Sequence, residues 1–482
     1  MPTTSQLQTK DFTEHEKVKA CIEKLNKKFT ANNPLIVSDV IDDDGHQFVH
    51  LVQKGGGVLG VALVGYTYVL EAMGIRFLKQ AGTSAGAINT ALMTVIGKKQ
   101  DPKSTSILKA ICELDFFSLV DGHPVARGII KRFISHGDFM ARVKKWVTII
   151  FGLFGFLIVA DIVLLGLQHK YIFLSFFAGL SFVLTGIWLL LIAVAIIYAK
   201  TLLKRLKNAG QGINPGDTFY DWIKERLKEN DVNTVSDLNN KARAAIPGLQ
   251  LRVDHPKKLE GLEGEVTFIA SELVTQNKIQ FPAMCRLFRK QADIDTLQPA
   301  GFVRASMSIP VFFESYMIND IPCDDPEIKT AWLELMNLDD APSTTRFVDG
   351  GILSNFPISI FYSPDINVPR LPVFGIDLDD IRPGDKGKSA PSWSLMGYAG
   401  RMFNTIRNYY DKDFLIKNKI YENGIGKIKV LGYNWLNFFM TDEEKKELFI
   451  LGAQAATEFL LKFKWEDYKC TRIEMQKVLD KK

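Results

Sequence analysis

Two long apolar stretches dominate the pattern of this chain. Residues 146–167 carry one charge, Asp161, and residues 171–199 carry none. Each meets the roughly 20 apolar residues a helix needs to cross a bilayer. Only Gln168-His169-Lys170 separates them, room for a tight turn. The pattern predicts a transmembrane helical hairpin. The alternative is a helix pair buried in a soluble protein, but soluble helices rarely lack a polar face for so long. An aspartate at the centre of a membrane helix costs about 2.5–3.5 kcal/mol. Asp161 lies nearer the turn, where the far interface relieves it, or it serves pairing or self-association.

Elsewhere shorter apolar runs alternate with helical periods. Phe48–Val52 reads as a strand, Val61–Met73 as a helix, Ile75–Ala81 as a strand and Ala85–Met93 as a helix. This β-α-β-α order predicts an α/β fold with a parallel sheet flanked by helices. Val266–Ala270 and Pro372–Ile376 are further strands, and Pro34–Val37 an edge strand. An amphipathic helix is expected over Phe12–Phe29. A turn at Asn214–Asp217 leads into a helix through Trp222 and Leu227. A polar loop spans Ile381–Lys388. A last helix spans Thr441–Phe463, with Leu448, Leu451, Ala455, Phe459 and Leu460 on one stripe. The expected division is a polar extension (1–46), a catalytic first part (47–125), basic flanks with the hairpin (126–209), a catalytic second part (210–465) and a tail (466–482).

The basic residues orient the hairpin. Arg132, Arg142, Lys144 and Lys145 precede it, Lys200, Lys204, Arg205 and Lys207 follow it, and the turn offers only Lys170. The positive-inside rule then puts both catalytic halves on the cytoplasmic side. No apolar stretch after Met1 reads as a signal peptide. The net charge of +5 is too small and diffuse for nucleic-acid binding. The five cysteines are scattered, with no C-x-x-C pair, which disfavours zinc and disulfides and favours a reducing compartment. No motif implies a metal or an organic cofactor, and nothing specifies an oligomeric state.

Candidate chemistry begins at Ser84. Gly82-Thr83-Ser84-Ala85-Gly86 fits G-x-S-x-G between a strand and a helix of small residues, the context of a nucleophile elbow. Upstream, Gly55-Gly56-Gly57-Val58-Leu59-Gly60 follows a strand, and consecutive glycines let backbone N–H groups turn toward an anion. Gly55, Gly57 and Gly60 also satisfy the dinucleotide G-x-G-x-x-G spacing. The acidic ribose contact expected about 20 residues on is not clearly present, and the serine elbow follows instead. No histidine lies after His255, so the order Ser…Asp…His is disfavoured. A carboxylate acting directly on the serine is the alternative. Asp349, in Val348-Asp349-Gly350-Gly351, is the best candidate, although alone it reads as an ordinary Asp-Gly turn.

Together the blocks resemble the patatin-like phospholipase family. Gly55–Gly60 resembles its oxyanion loop, Gly82–Gly86 its elbow, Asp349-Gly350-Gly351 its D-G-G/A block, and Ala305-Ser306-Met307-Ser308-Ile309-Pro310 its A-S-x-A-x-P stretch. The chain has Leu59 where many members carry Arg or Lys. The resemblance implies a three-layer α/β/α sandwich, here with an inserted transmembrane hairpin. It also implies a Ser84–Asp349 dyad, with the N–H groups of Gly55, Gly56 and Gly57, helped by Ala85, as the oxyanion hole. The implied activity is hydrolysis of carboxylic ester bonds in membrane phospholipids or related acyl lipids. Acyl transfer or thioester cleavage by the same dyad, or a catalytically idle membrane scaffold, are the alternatives.

Overall fold

The structure is a computed structural model that describes residues 7–124, 127–128, 131, 139–167, 170–208, 210–252, 262–361, 369–379, 402, 405, 409 and 411–479. It divides into two units, Met1–Asp121 with Gly216–Lys482, and Gly122–Pro215.

In the first unit, ten strands form one sheet: β1 (Val40–Ile41), β2 (Gln47–Gln53), β3 (Ile75–Thr83), β4 (Gln250–Leu251), β5 (Glu265–Glu272), β6 (Lys278–Phe281), β7 (Tyr316–Ile318), β8 (Thr345–Asp349), β9 (Val373–Asp379) and β10 (Ile425–Lys429). The spine runs β10-β9-β2-β3-β5-β8-β7. It is parallel from β10 to β5 and antiparallel beyond. β2 and β3 are buried at all but one position each, the mark of parallel strands covered on both faces. The fold class expected from the sequence, α/β around a mostly parallel sheet, is the one observed.

Six helices of this unit matter below: α1 (Glu16–Lys28), α2 (Gly60–Ala72), α3 (Ala85–Val95), α4 (Ser104–Glu113), α7 (Asp217–Lys228) and α8 (Ala300–Ser306). A further helix, α9 (Asp442–Lys462), starts at a capping box in which Thr441 and Glu444 bond reciprocally. It buries Leu448, Phe459 and Leu460 of its expected stripe, with Leu451 and Ala455 half-buried. α9 and α2 meet backbone to backbone. A Cβ on Gly65 would lie 2.0 Å from the Phe449 carbonyl oxygen, and one on Gly452 2.0 Å from that of Ala62.

Two expectations for this unit need correction. Pro34–Val37 is not a strand. The Gln47 side chain takes the neighbouring strand's place, accepting from the Val37 and Ser38 amides at 2.7 and 3.3 Å and donating to Leu35 O at 2.7 Å. The N-terminal helix is two, Lys10–Thr13 and α1, because His15 is an extended N-cap whose ring accepts from Lys17 N. The predicted loop Ile381–Lys388 lies outside the described residues.

The second unit holds α5 (Phe139–Leu167) and α6 (Leu174–Asn208), packed on each other. Tyr171–Phe173, expected to be helical, belong to the turn, where Leu174 N bonds Tyr171 O. Val147–Leu167 and Leu174–Tyr198 are long and apolar enough to cross a membrane, with mean hydropathies of 2.6 and 2.7. Only 6% of either span is buried, unlike the core helix of a soluble protein. Asp161 is one of the few buried residues here and accepts a hydrogen bond from Thr185 Oγ1 at 2.7 Å. The bond crosses the interface between α5 and α6 and satisfies one carboxylate oxygen, while Oδ1 has no partner among the described residues.

Helix propensity and packing give opposite signs for Gly65→Ala. In an open helix alanine gains about 1 kcal/mol over glycine. Here the new methyl meets a carbonyl that cannot move without separating α2 from α9, and overpacking of this kind costs about 1–3 kcal/mol. Chemical denaturation should show a net loss of stability. A gain would mean that the helices do not touch at Gly65.

Candidate active site

Ser84 is the single residue between β3 and α3, with φ 54° and ψ −121°. A serine adopts this region only when its surroundings impose it. Two glycines do much of the imposing by letting the turn close. A Cβ on Gly82 would lie 2.3 Å from the Gly86 carbonyl carbon, and one on Gly86 2.3 Å from Gln53 O. The Ser84 amide donates to Ser306 Oγ at 3.0 Å. The Ala85 amide, first in α3, has no acceptor among the described residues, as expected at a helix N-terminus.

The glycine loop passes directly over this turn. A Cβ on Gly55 would lie 3.0 Å from Ser84 Cβ, and one on Gly60 3.2 Å from Ala85 Cβ. Lys54 anchors the loop's start through Asp377 Oδ1 and Leu378 O, both at 2.8 Å. Gly55 N donates to Asn355 O at 2.9 Å, so this amide is already engaged. Gly57 has φ 55° and presses on Trp435 O, which also accepts from Val58 N at 3.1 Å. The Gly56 and Gly57 amides have no acceptor among the described residues.

Asp349 reaches the same end of the sheet by register. Thr83 pairs with Ile269 and Asp349 with Ala270, so the ends of β3 and β8 flank β5 at one level, roughly 10 Å apart across two strand spacings. Gly350 closes that distance, since a Cβ on it would lie 2.1 Å from Ile269 O and 3.0 Å from Thr83 Cγ2. Asp349 Oδ1 accepts from Gly351 N at 2.7 Å, and Asp349 N donates to Ser308 O at 2.7 Å. The stretch Ser306–Ser308 therefore holds the backbone of both Ser84 and Asp349.

Arg304, buried in α8, anchors that stretch. It donates to Ser308 Oγ at 2.6 Å and Glu314 O at 2.9 Å. Its guanidinium lies 2.6 Å from where a Gly216 Cβ would stand, beside the start of α7. That start is capped by Asp121, which accepts from Gly216 N and Thr218 N at 3.0 Å. Burial lowers the Arg304 pKa, while Asp121, Asp217 and Glu314 oppose the shift.

Beside the turn lies a cavity of about 60 Å³. It touches Gly57 and Ala85 at one side and, apart from Asn89, is otherwise walled by apolar groups such as Ile88, Leu92, Ile107, Phe116 and Trp222.

The structure thus brings together every residue singled out from the sequence: Ser84 and Asp349, the loop Gly55–Gly57 with Gly60, and the flanking Gly82, Ala85, Gly86, Gly350 and Gly351. Ser306 lay within a quoted motif, but its role was not readable there. Asn355 and Asp411 carried no signal. Asp411 accepts from Ser354 Oγ and Phe356 N, both at 2.8 Å, and Ser354 O accepts from Thr83 Oγ1 at 3.0 Å. This clamp fixes the segment that engages Gly55. Burial pushes the Asp411 carboxyl up to about 6, against the lowering effect of its two hydrogen bonds and of Lys278 and Lys54. Of the histidines, His46 bonds Asp42, and half-buried His50 is pushed down to about 3 by desolvation and by Lys79 and Lys99. His136, His169 and His255 lie outside the described residues.

Residues 51–362 match the family model described as Patatin-like phospholipase. The uncharacterized protein YqhO of Bacillus subtilis (strain 168) is 24% identical over 416 residues, which cover 86% of this chain and 98% of that protein. The crystal structure of VipD from Legionella pneumophila aligns with a TM-score of 0.35 at 16% identity, over 91% of this chain and 72% of that one.

Asp411 makes stability depend on pH. Its folded pKa of about 6 lies above the ordinary 3.8, so the folded protein holds this proton more tightly than the unfolded chain. The contribution is complete below about pH 4 and is lost as pH rises to about 6, by roughly 3 kcal/mol at 1.36 kcal/mol per unit. Denaturation curves across this window should show the decline in the wild type and a flatter profile in Asp411→Asn. Identical slopes would remove Asp411 as the source.

Proposed function

Because the chain belongs to the patatin-like phospholipase family, we propose that it is a membrane-anchored serine hydrolase of phospholipase A type, working through a Ser84–Asp349 dyad. The observation that carries this reading is the strained Ser84 turn, tied through Ser306–Ser308 to Asp349 and bordered by an apolar cavity.

Ser84 Oγ attacks the ester carbonyl carbon while Asp349 takes its proton. The carbonyl electron pair moves onto oxygen, where the Gly56, Gly57 and Ala85 amides receive it. Gly55, with its amide on Asn355, braces the loop. Collapse expels the lysolipid alkoxide, which takes the proton from Asp349 and leaves acyl-Ser84. Water then releases the fatty acid in the mirror sequence. Of all the contributions to rate in such a site, holding the developing oxyanion is expected to be the greatest.

The two apolar helices, exposed along nearly their whole length, support membrane anchoring, and their basic flanks support a cytoplasmic catalytic unit. A tethered hydrolase meets its lipid at high effective concentration.

Detergent-purified protein on mixed phospholipid vesicles should release fatty acid and lysolipid, identified by mass spectrometry. Ser84→Ala and Asp349→Asn should each lower the rate by at least about 10³-fold. Full activity in either variant, with the fold retained, would sink the dyad.

Deleting residues 146–199 should lower vesicle hydrolysis at least about tenfold more than hydrolysis of a soluble short-chain ester. Equal losses would mean that the hairpin supports the fold rather than delivers the enzyme.

A further inference from the structure

Asn355 follows Asp349 by six residues, in the segment clamped by Asp411. It is 3% exposed. Its Nδ2 donates to Gly55 O at 3.3 Å, which fixes the orientation of the amide and turns Oδ1 the other way. Oδ1 has no hydrogen-bond partner among the described residues. An unmatched buried acceptor is costly, and a native protein tolerates one chiefly where function or ordered water uses it.

The surroundings of Oδ1 say what uses it. A Cβ on Gly55 would lie 2.6 Å from Oδ1 and 3.0 Å from Ser84 Cβ. A Cβ on Gly351 would lie 2.6 Å from the same oxygen and 2.8 Å from Asp349 Oδ1. Two glycines, from separate loops, therefore keep side chains out of the space framed by Ser84, Asp349 and Asn355 Oδ1. That space has a nucleophile on one side, a base on the second and an acceptor on the third.

Deacylation needs a water with two hydrogens to place. One goes to the base. The other needs a second acceptor, or the water is free to rotate. We propose that Asn355 Oδ1 holds this second hydrogen and aims the deacylating water, which makes Asn355 a catalytic residue of the second half-reaction; the proposal rests on the Ser84–Asp349 reading. The water oxygen attacks the acyl carbonyl carbon as Asp349 removes one proton. The carbonyl electron pair moves onto the oxyanion. On collapse the bond to Ser84 Oγ breaks, Oγ takes the proton from Asp349, and the fatty acid leaves. Asn355 neither gains nor loses a proton. Acylation involves no water and makes no demand on Oδ1.

This asymmetry supplies the test, on the full-length protein in detergent with a short-chain p-nitrophenyl ester. Asn355→Leu keeps the shape and removes the acceptor together with the Nδ2 bond to Gly55 O, and Asn355→Ala guards against a packing fault. In both, the Gly55 amide keeps its bond to the backbone carbonyl of residue 355. Each variant should give a stoichiometric burst of nitrophenol at close to the wild-type acylation rate. Steady turnover should then be about 10²-fold slower, with acyl-Ser84 visible by intact mass. A parallel fall in burst and steady phases would assign Asn355 to loop support and overturn the proposal, as would unchanged turnover. Failure of the wild type to acylate Ser84 at all would instead remove the dyad reading beneath it.

Discussion

The backbone of Ser84 is the constraint on which the catalytic unit depends. A positive φ in an L-residue costs about 1–3 kcal/mol and persists only where the neighbours over-determine it. Here they come from four places. Gln53 at the end of β2 meets Gly86, Gly55 covers the serine, Ser306 takes its amide, and the first turn of α3 runs on from it. None of these contacts is local in sequence except the last. The turn exists because a sheet, a loop and a distant helix are assembled around it.

The same assembly sets the position of Asp349. Its strand is registered on β5 so that its end falls level with Thr83, and the Ser308 carbonyl fixes its amide. One short stretch after α8 thus gauges both partners. Arg304 ties that stretch to the Glu314 carbonyl, and its guanidinium lies beside Gly216 at the capped start of α7. Buried charges of this kind add little net stability but are expensive to leave unmatched. Their use here is to make one arrangement much better than its neighbours.

What was legible in the sequence was what is local. The glycine loop, the elbow and the strands that carry them are short motifs whose backbone demands are written in their own residues. The two apolar helices were legible from composition alone. The contacts that turn these parts into a site are not local. Asn355 bonds Gly55 across 300 positions, Trp435 presses on Gly57 from near the far end of the chain, and Asp411 braces Ser354 from a segment with no motif of its own. Pro34–Val37 failed as a strand because one side chain, Gln47, outcompeted a backbone ladder. The partner of Asp161 needed the phase of two helices, 24 residues apart in sequence.

The position of the hairpin between β3 and β5 governs the order in which the protein can come into being. β3 pairs with β5 on one side, yet the whole of Gly122–Pro215 is translated between them. As the chain leaves the ribosome, the strand that carries Ser84 remains an open edge until the two apolar helices have emerged. Ser306, Asp349 and Asn355 follow later still. During synthesis, then, both apolar helices are always made before the contacts that complete the Ser84 turn, and the candidate site can close only after they exist.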